Sequence, residues 1–121
     1  NKLVINISFF KNFSPENYIK LINNCECLVG ISSSGIRESS FLSVPVVNIG
    51  SRQINREQGF NVINVNHNKD DIYRAIIKQM KKKKIKKSFL YGDGFAYKKI
   101  IKILNKIFEK EVSVEKKLNY L

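Results

Sequence analysis

Three short apolar runs, CLVGI, VPVVNIG and NVINV, set the narrowest limit on what this chain can fold into. The first, Cys27–Ile31, shows no polar alternation, which is the pattern of a strand covered on both faces. The other two occupy Val44–Gly50 and Asn61–Val65, and LVINIS at Leu3–Ser8 reads as an earlier strand. Helical patterns lie between them. Ser14 is placed to cap a helix with Pro15 at its first position and Glu16 in its first turn, and Tyr18, Ile19, Leu21 and Ile22 carry it to about Asn24. Ile36–Ser43 reads as a short helix with Phe41 and Leu42 turned inward, stopped by Pro45. Ile72, Ala75, Ile76 and Gln79 recur at helical spacing in a helix from Lys69 to about Lys82. After the loop SFLYGDG a last amphipathic helix spans about Phe95–Phe108. Strands alternating with helices over short connections imply an α/β fold with a parallel sheet.

In such a sheet ligands bind outside the carboxyl ends of the strands. Two loops fall at that edge, Ser32–Gly35 after CLVGI and Gly50–Asn55 after VPVVNIG. A strand, then SSSG, then a helix offers an anion free main-chain amides and small hydroxyl donors. The plainer use of Ser33 or Ser34 is as a helix cap. Arg52 and Arg56 in GSRQINRE add guanidinium groups suited to phosphate oxygens. Glu38 is acidic beside that site, which fits hydrogen bonding to sugar hydroxyls better than to phosphate. Together these features point to a nucleoside diphosphate, although neither GxxxxGK[ST] nor GxGxxG is present.

At 121 residues the chain is one domain at most, and no apolar run approaches a membrane span. It begins at Asn1 with no signal pattern, and so reads as a fragment of a soluble cytoplasmic protein with no membrane partner. Cys25 and Cys27 match neither a zinc ribbon nor a CxxC pair, and are expected to be small buried hydrophobes. The formal net charge of +12 raises a basic nucleic-acid-binding module as an alternative. Against it, the lysine excess is spread along the chain, KKKKIKK has no interleaved aromatics, and no nucleic-acid-binding signature is present. The lysines are therefore read as a solvated face, with nucleic acid not an expected partner.

The run VGISSSGIRESSFLSVPVVNIGSRQINREQGFNVINV, with the later YGDGFAYKKIIKIL, resembles the carboxyl-terminal nucleotide-binding half of UDP-N-acetylglucosamine 2-epimerases. The likeness covers about Phe10 to Leu104 and is closer to the hydrolysing branch, because the turn is SSSG and Arg37 precedes Glu38. What it implies is the Rossmann-like second half of a glycosyltransferase-B type fold, with residues 1–121 forming most of one UDP-binding domain of a two-domain enzyme. By the same resemblance Ser32 and Ser33 contact the diphosphate within the turn that Gly35 closes. Glu38 holds the ribose hydroxyls, Arg52 lies at the phosphates, and Phe13 offers main-chain atoms to the uracil.

The implied reaction takes UDP-N-acetylglucosamine and water to N-acetylmannosamine and UDP, a step toward sialic acids. The non-hydrolysing reaction giving UDP-N-acetylmannosamine is the near alternative. No cofactor or metal is implied, the full-length protein is expected to self-associate, and the catalytic carboxylates belong to the missing amino-terminal domain. His67 reads as a surface residue, and neither Glu57 nor Asp93 has a partner spaced for acid/base work. The chain departs from the family pattern at Ile31, where Asn is usual, and at Asn55, where Gly is usual.

Overall fold

A computed structural model describes residues 6–82 and 85–109. The elements run α1 (Pro15–Asn24), β1 (Leu28–Gly30), a 3-10 turn (Ser33–Gly35), α2 (Glu38–Leu42), β2 (Val46–Ile49), β3 (Val62–Val65), α3 (Lys69–Met80) and α4 (Ala96–Phe108). Of the expected first strand, Leu3–Ile5 lies outside the described residues and Asn6–Ser8 forms no strand. The chain divides into two units, residues 1–91 and 92–121.

The first unit holds a three-stranded parallel sheet in the order β1-β2-β3, a Rossmann-like α/β arrangement. Gly30 pairs with Asn48 and Asn48 with Asn64, so all three strands end along one edge. Helix α3 packs on β2 and β3, α1 packs on α2, and the serine turn rests on β1 and β2. Side-chain caps start α1 and α3: Ser14 Oγ, the cap the sequence implies, accepts from the Asn17 amide, and Asn68 Oδ1 accepts from the amides of Asp70 and Asp71. Each such cap contributes about 1 kcal/mol.

Ile22, Ile36, Val44, Val46, Val47 and Ala75 make the apolar core, and Ser39, Ser40, Asn48, Asn61 and Gln79 are buried with them. Ser39 and Ser40, rather than Phe41 and Leu42, are the buried positions of α2. The five-residue helix turns Ser39 Oγ onto the Gly35 carbonyl, while Phe41 stays half-buried against Phe89 with Lys87 over its ring. Val29 corrects the expectation that β1 is covered on both faces. It is 40% exposed, because β1 is an edge strand and no described residue covers that side. Cys25 and Cys27 are half-buried free thiols rather than core residues, and burial pushes both pKa values up, keeping them protonated and unreactive.

In the second unit Gly92 and Gly94, at φ 115° and 85°, form the turn before α4. Between them Asp93 accepts from Lys99 Nζ at 2.9 Å and from the Phe95 amide at 3.0 Å. The Lys99 bond, then the amide, holds the Asp93 carboxyl below its ordinary pKa. No described helix is long and apolar enough to cross a membrane.

Candidate functional site

The serine turn and the arginine segment leave adjacent strands at the same edge, and one hydrogen bond joins them directly. Gln53 Nε2 donates to the Ile31 carbonyl at 3.0 Å. Gln53 and Ile31 are the chain neighbours of Arg52 and Ser32, so that bond fixes the bases of both loops side by side. The acceptor is the Ile31 main chain, so the bond does not depend on that side chain, which is 46% exposed. Asn55 likewise needs no glycine, since Ser43 is the one described non-glycine residue with positive φ.

Neither Ser33 nor Ser34 caps α2, whose N-cap position is Arg37 with no side-chain cap, and Ser32 caps the 3-10 turn instead. Its backbone is extended and its Oγ accepts from the Ser34 amide. The amides of Gly35, Ile36 and Arg37 bond to the carbonyls of Ser32 and Ser33, so these donors face into the turn rather than outward. Because α2 has only five residues, its dipole adds little to the site. What remains for a ligand is the Ser33 hydroxyl, without a partner among the described residues, and the exposed rim of Ser32.

Ser34 is buried and joins two hydroxyls, with Ser32 Oγ at 2.8 Å and Tyr18 Oη at 2.7 Å. Tyr18 in turn stacks on Phe13 at 6.3 Å between ring centroids, which brings Phe13 to the same corner as the serines. Helical spacing places Tyr18 on the inward face of α1, but nothing in the pattern names a partner for its hydroxyl.

Gly35 is buried, and a Cβ there would stand 3.1 Å from Val46 Cγ1. Its part is to let the turn lie flat on the sheet. Glu38 opens α2 with Oε2 buried and unpartnered among the described residues. A buried acceptor of that kind is costly until a donor reaches it. Arg52 is exposed, and no described residue pairs with its guanidinium.

Gly50 is not the flexible end that its type suggests. Its φ is 73°, its amide donates to the Val65 carbonyl at 2.7 Å, and a Cβ would meet His67 Nε2 at 2.5 Å. His67 is exposed, as its polar loop implies, yet its ring lies over the strand end that leads to Arg52. Beside the arginine segment is a cleft of about 370 Å³ lined by Ile54, Asn64, Val65, Asn66, Asp71 and Arg74. Sequence reasoning passed over Asn64 and Asn66, whose signal is the recurrence of Asn along NVINVN at the end of a strand.

The family model described as UDP-N-acetylglucosamine 2-epimerase matches residues 1–105. The chain is 36% identical over 101 residues to a UDP-N,N'-diacetylbacillosamine 2-epimerase (hydrolyzing) of Legionella pneumophila, covering 84% of this chain and 27% of that protein. It is 41% identical over 54 residues to a GDP/UDP-N,N'-diacetylbacillosamine 2-epimerase (hydrolyzing) of Campylobacter jejuni, covering 45% of this chain and 14% of the relative. It is also 43% identical over 61 residues to the polysialic acid biosynthesis protein P7 of Escherichia coli, covering 50% of this chain and 16% of the relative. The chain thus spans about a quarter, or less, of the length of these curated relatives. With the family match running from Asn1 through the serine turn, the arginine segment and most of α4, the chain belongs to the UDP-N-acetylglucosamine 2-epimerase family.

Proposed function

We propose that this chain is the UDP-binding part of a hydrolysing UDP-N-acetylglucosamine 2-epimerase, whose catalytic carboxylates lie in another domain. The observation that carries the reading is the 3.0 Å bond from Gln53 to Ile31, since it ties the segment that bears Arg52 to the residue before Ser32. Ser33 and Ser32 hydroxyls would donate to the diphosphate and Arg52 would neutralise it, a charge-assisted pairing worth about 1.5–3 kcal/mol per bond. Glu38 would accept from the ribose hydroxyls, satisfying its Oε2, and main-chain atoms at Phe13 would meet the uracil.

In the reaction, the C2 proton leaves to a base and the C1–O bond to UDP breaks, giving a glycal. Water then adds across the double bond to release N-acetylmannosamine. This chain's residues hold the leaving group, so the charge that develops on the departing UDP is met by Arg52 and the serine hydroxyls. The names of the P7 relative and of the two hydrolysing relatives support this branch and a sialic acid setting.

A second substrate is favoured by the same relatives, UDP-N,N'-diacetylbacillosamine, which differs on the sugar and not on the nucleotide. Titration of the intact protein with UDP, followed by NMR, tests the shared part: saturable shifts are expected at Ser32–Glu38, and their absence would end the reading. Product analysis with each sugar nucleotide separates the substrates, and release of a free sugar distinguishes hydrolysis from simple epimerisation.

A further inference from the structure

At the carboxyl edge of the sheet four amide residues are linked in series, Asn48, Asn64 and Gln58 through their side chains and Gln53 through its main-chain carbonyl. Asn48 Nδ2 on β2 donates to Asn64 Oδ1 on β3 at 2.8 Å, and Asn64 Nδ2 donates to Gln58 Oε1 at 2.8 Å. Gln58 Nε2 donates to the Gln53 carbonyl at 2.9 Å, and Gln53 Nε2 donates to the Ile31 carbonyl at 3.0 Å. The series starts on the central strand, crosses to β3, passes to the arginine segment and ends on the residue before Ser32.

Residues 51–56 have bonds of their own, Ile54 amide to Ser51 carbonyl and Arg56 amide to Gln53 carbonyl. Those bonds give the segment its shape but do not say where it stands over the sheet. Among the described residues it is held by the amide series, by the Gly50 amide on the Val65 carbonyl just before it and by Tyr91 Oη on the Glu57 carbonyl just after it. The Gln53 carbonyl is the junction, because it receives both the Arg56 amide and Gln58 Nε2. Asn64 is exposed and Gln58 half-buried, so their mutual bonds replace bonds to water and add little net stability. Their effect is on geometry, since two amides paired in both directions admit one orientation.

We propose that Gln58 is a positioning residue: through the Gln53 carbonyl it sets where Arg52 stands relative to the Ser32 and Ser33 hydroxyls, and so how tightly the two loops hold one pyrophosphate. The proposal rests on the UDP-binding reading above and adds a residue that touches no ligand.

The test is ligand-observed NMR on the intact protein with UDP and with uridine, using Gln58→Ala, Arg52→Ala and the double variant. Gln58→Ala is expected to weaken UDP on the order of tenfold, the size of one misplaced hydrogen bond, and to leave uridine unchanged. In the Arg52→Ala background the same change should have no further effect on UDP, because its influence travels through that guanidinium. Asn64→Ala, which removes the support beneath Gln58, should show the same ligand pattern more weakly. Equal weakening in both backgrounds, or of uridine as much as UDP, would mean a general structural role and overturn the proposal. Unchanged UDP affinity in Gln58→Ala beside a loss in Arg52→Ala would also overturn it while leaving the UDP-binding reading intact. A wild-type protein that binds no UDP would remove both.

Discussion

The two ends of the same three strands use the same residue types in opposite ways. At the amino end, Gln79 Nε2 donates to the carbonyls of Val46 and Asn61 at 2.6 and 2.7 Å. Asn61 Nδ2 donates to the Val44 carbonyl at 2.9 Å and to Ser39 Oγ at 3.2 Å, and both amides are fully buried. The side-chain oxygens of both are buried without a partner among the described residues. At the carboxyl end Gln58 links Asn64 to the Gln53 carbonyl, and beside them Arg52, the Ser33 hydroxyl and Glu38 Oε2 also find no partner among the described residues. Amide donors turned onto buried carbonyls lock a fold, whereas the exposed Arg52 guanidinium and the half-buried Ser33 hydroxyl, left unengaged at the sheet's carboxyl edge, are available to a ligand.

That contrast can be broken at either end. The largest effect is expected from Gln79→Leu, which keeps the bulk and removes two buried donors. Urea unfolding should show a loss of about 2–3 kcal/mol, with UDP affinity of the folded fraction unchanged. A fully stable variant would mean the amino end is no lock. Arg52→Ala should do the reverse, lowering UDP affinity roughly 10- to 100-fold in calorimetry with stability within about 0.5 kcal/mol of wild type. Gly50→Ala sits between the two classes. Strain at its positive φ should cost about 1–2 kcal/mol, and the displaced His67 ring should report the change through its NMR shifts.

The smallest effect sharpens the comparison from outside the sheet. Because the folded pKa of Asp93 is depressed, its support for the start of α4 is present above the ordinary carboxylate value of about 3.9 and is lost as pH falls through the lower folded value. Amide-exchange protection at residues 96–99 should therefore differ between wild type and Asp93→Asn near neutral pH and converge in acid. A difference that acid does not remove would assign the effect to something other than the carboxylate.

Much of this was legible because the decisive signals are local. Ser14-Pro15-Glu16, the βα alternation and the glycines of GDG each specify backbone geometry within a few residues, and α1, α3, α4 and the parallel sheet follow. The serine and arginine loops at one edge are a consequence of parallel strands, so they too could be placed. The cap at Ser32 was harder to see, since any of three successive serines can supply the oxygen and the choice depends on how the turn settles on Val46. Phe41 and Leu42 do not turn inward as their pattern implies because a five-residue helix is oriented by the bonds of Ser39, one to the Gly35 carbonyl a turn earlier and one from Asn61 Nδ2 across the fold, which carry no periodic signature. Gln58 meets Asn64 on β3 and the Gln53 carbonyl, while the Gln53 side chain reaches the Ile31 carbonyl, and that pairing exists only after folding.

The three hydroxyls of Tyr18, Ser34 and Ser32 lie in a row, and each link can run in either direction. Reversing the row moves protons and no heavy atom. Ser32 can then present a proton to an oxygen-rich visitor or a lone pair to a protic one, with the phenol two groups away absorbing the change. Such a rim adapts its polarity to whatever arrives without reshaping the turn, so exchanging Tyr18 for phenylalanine would fix a sense that the native rim leaves open.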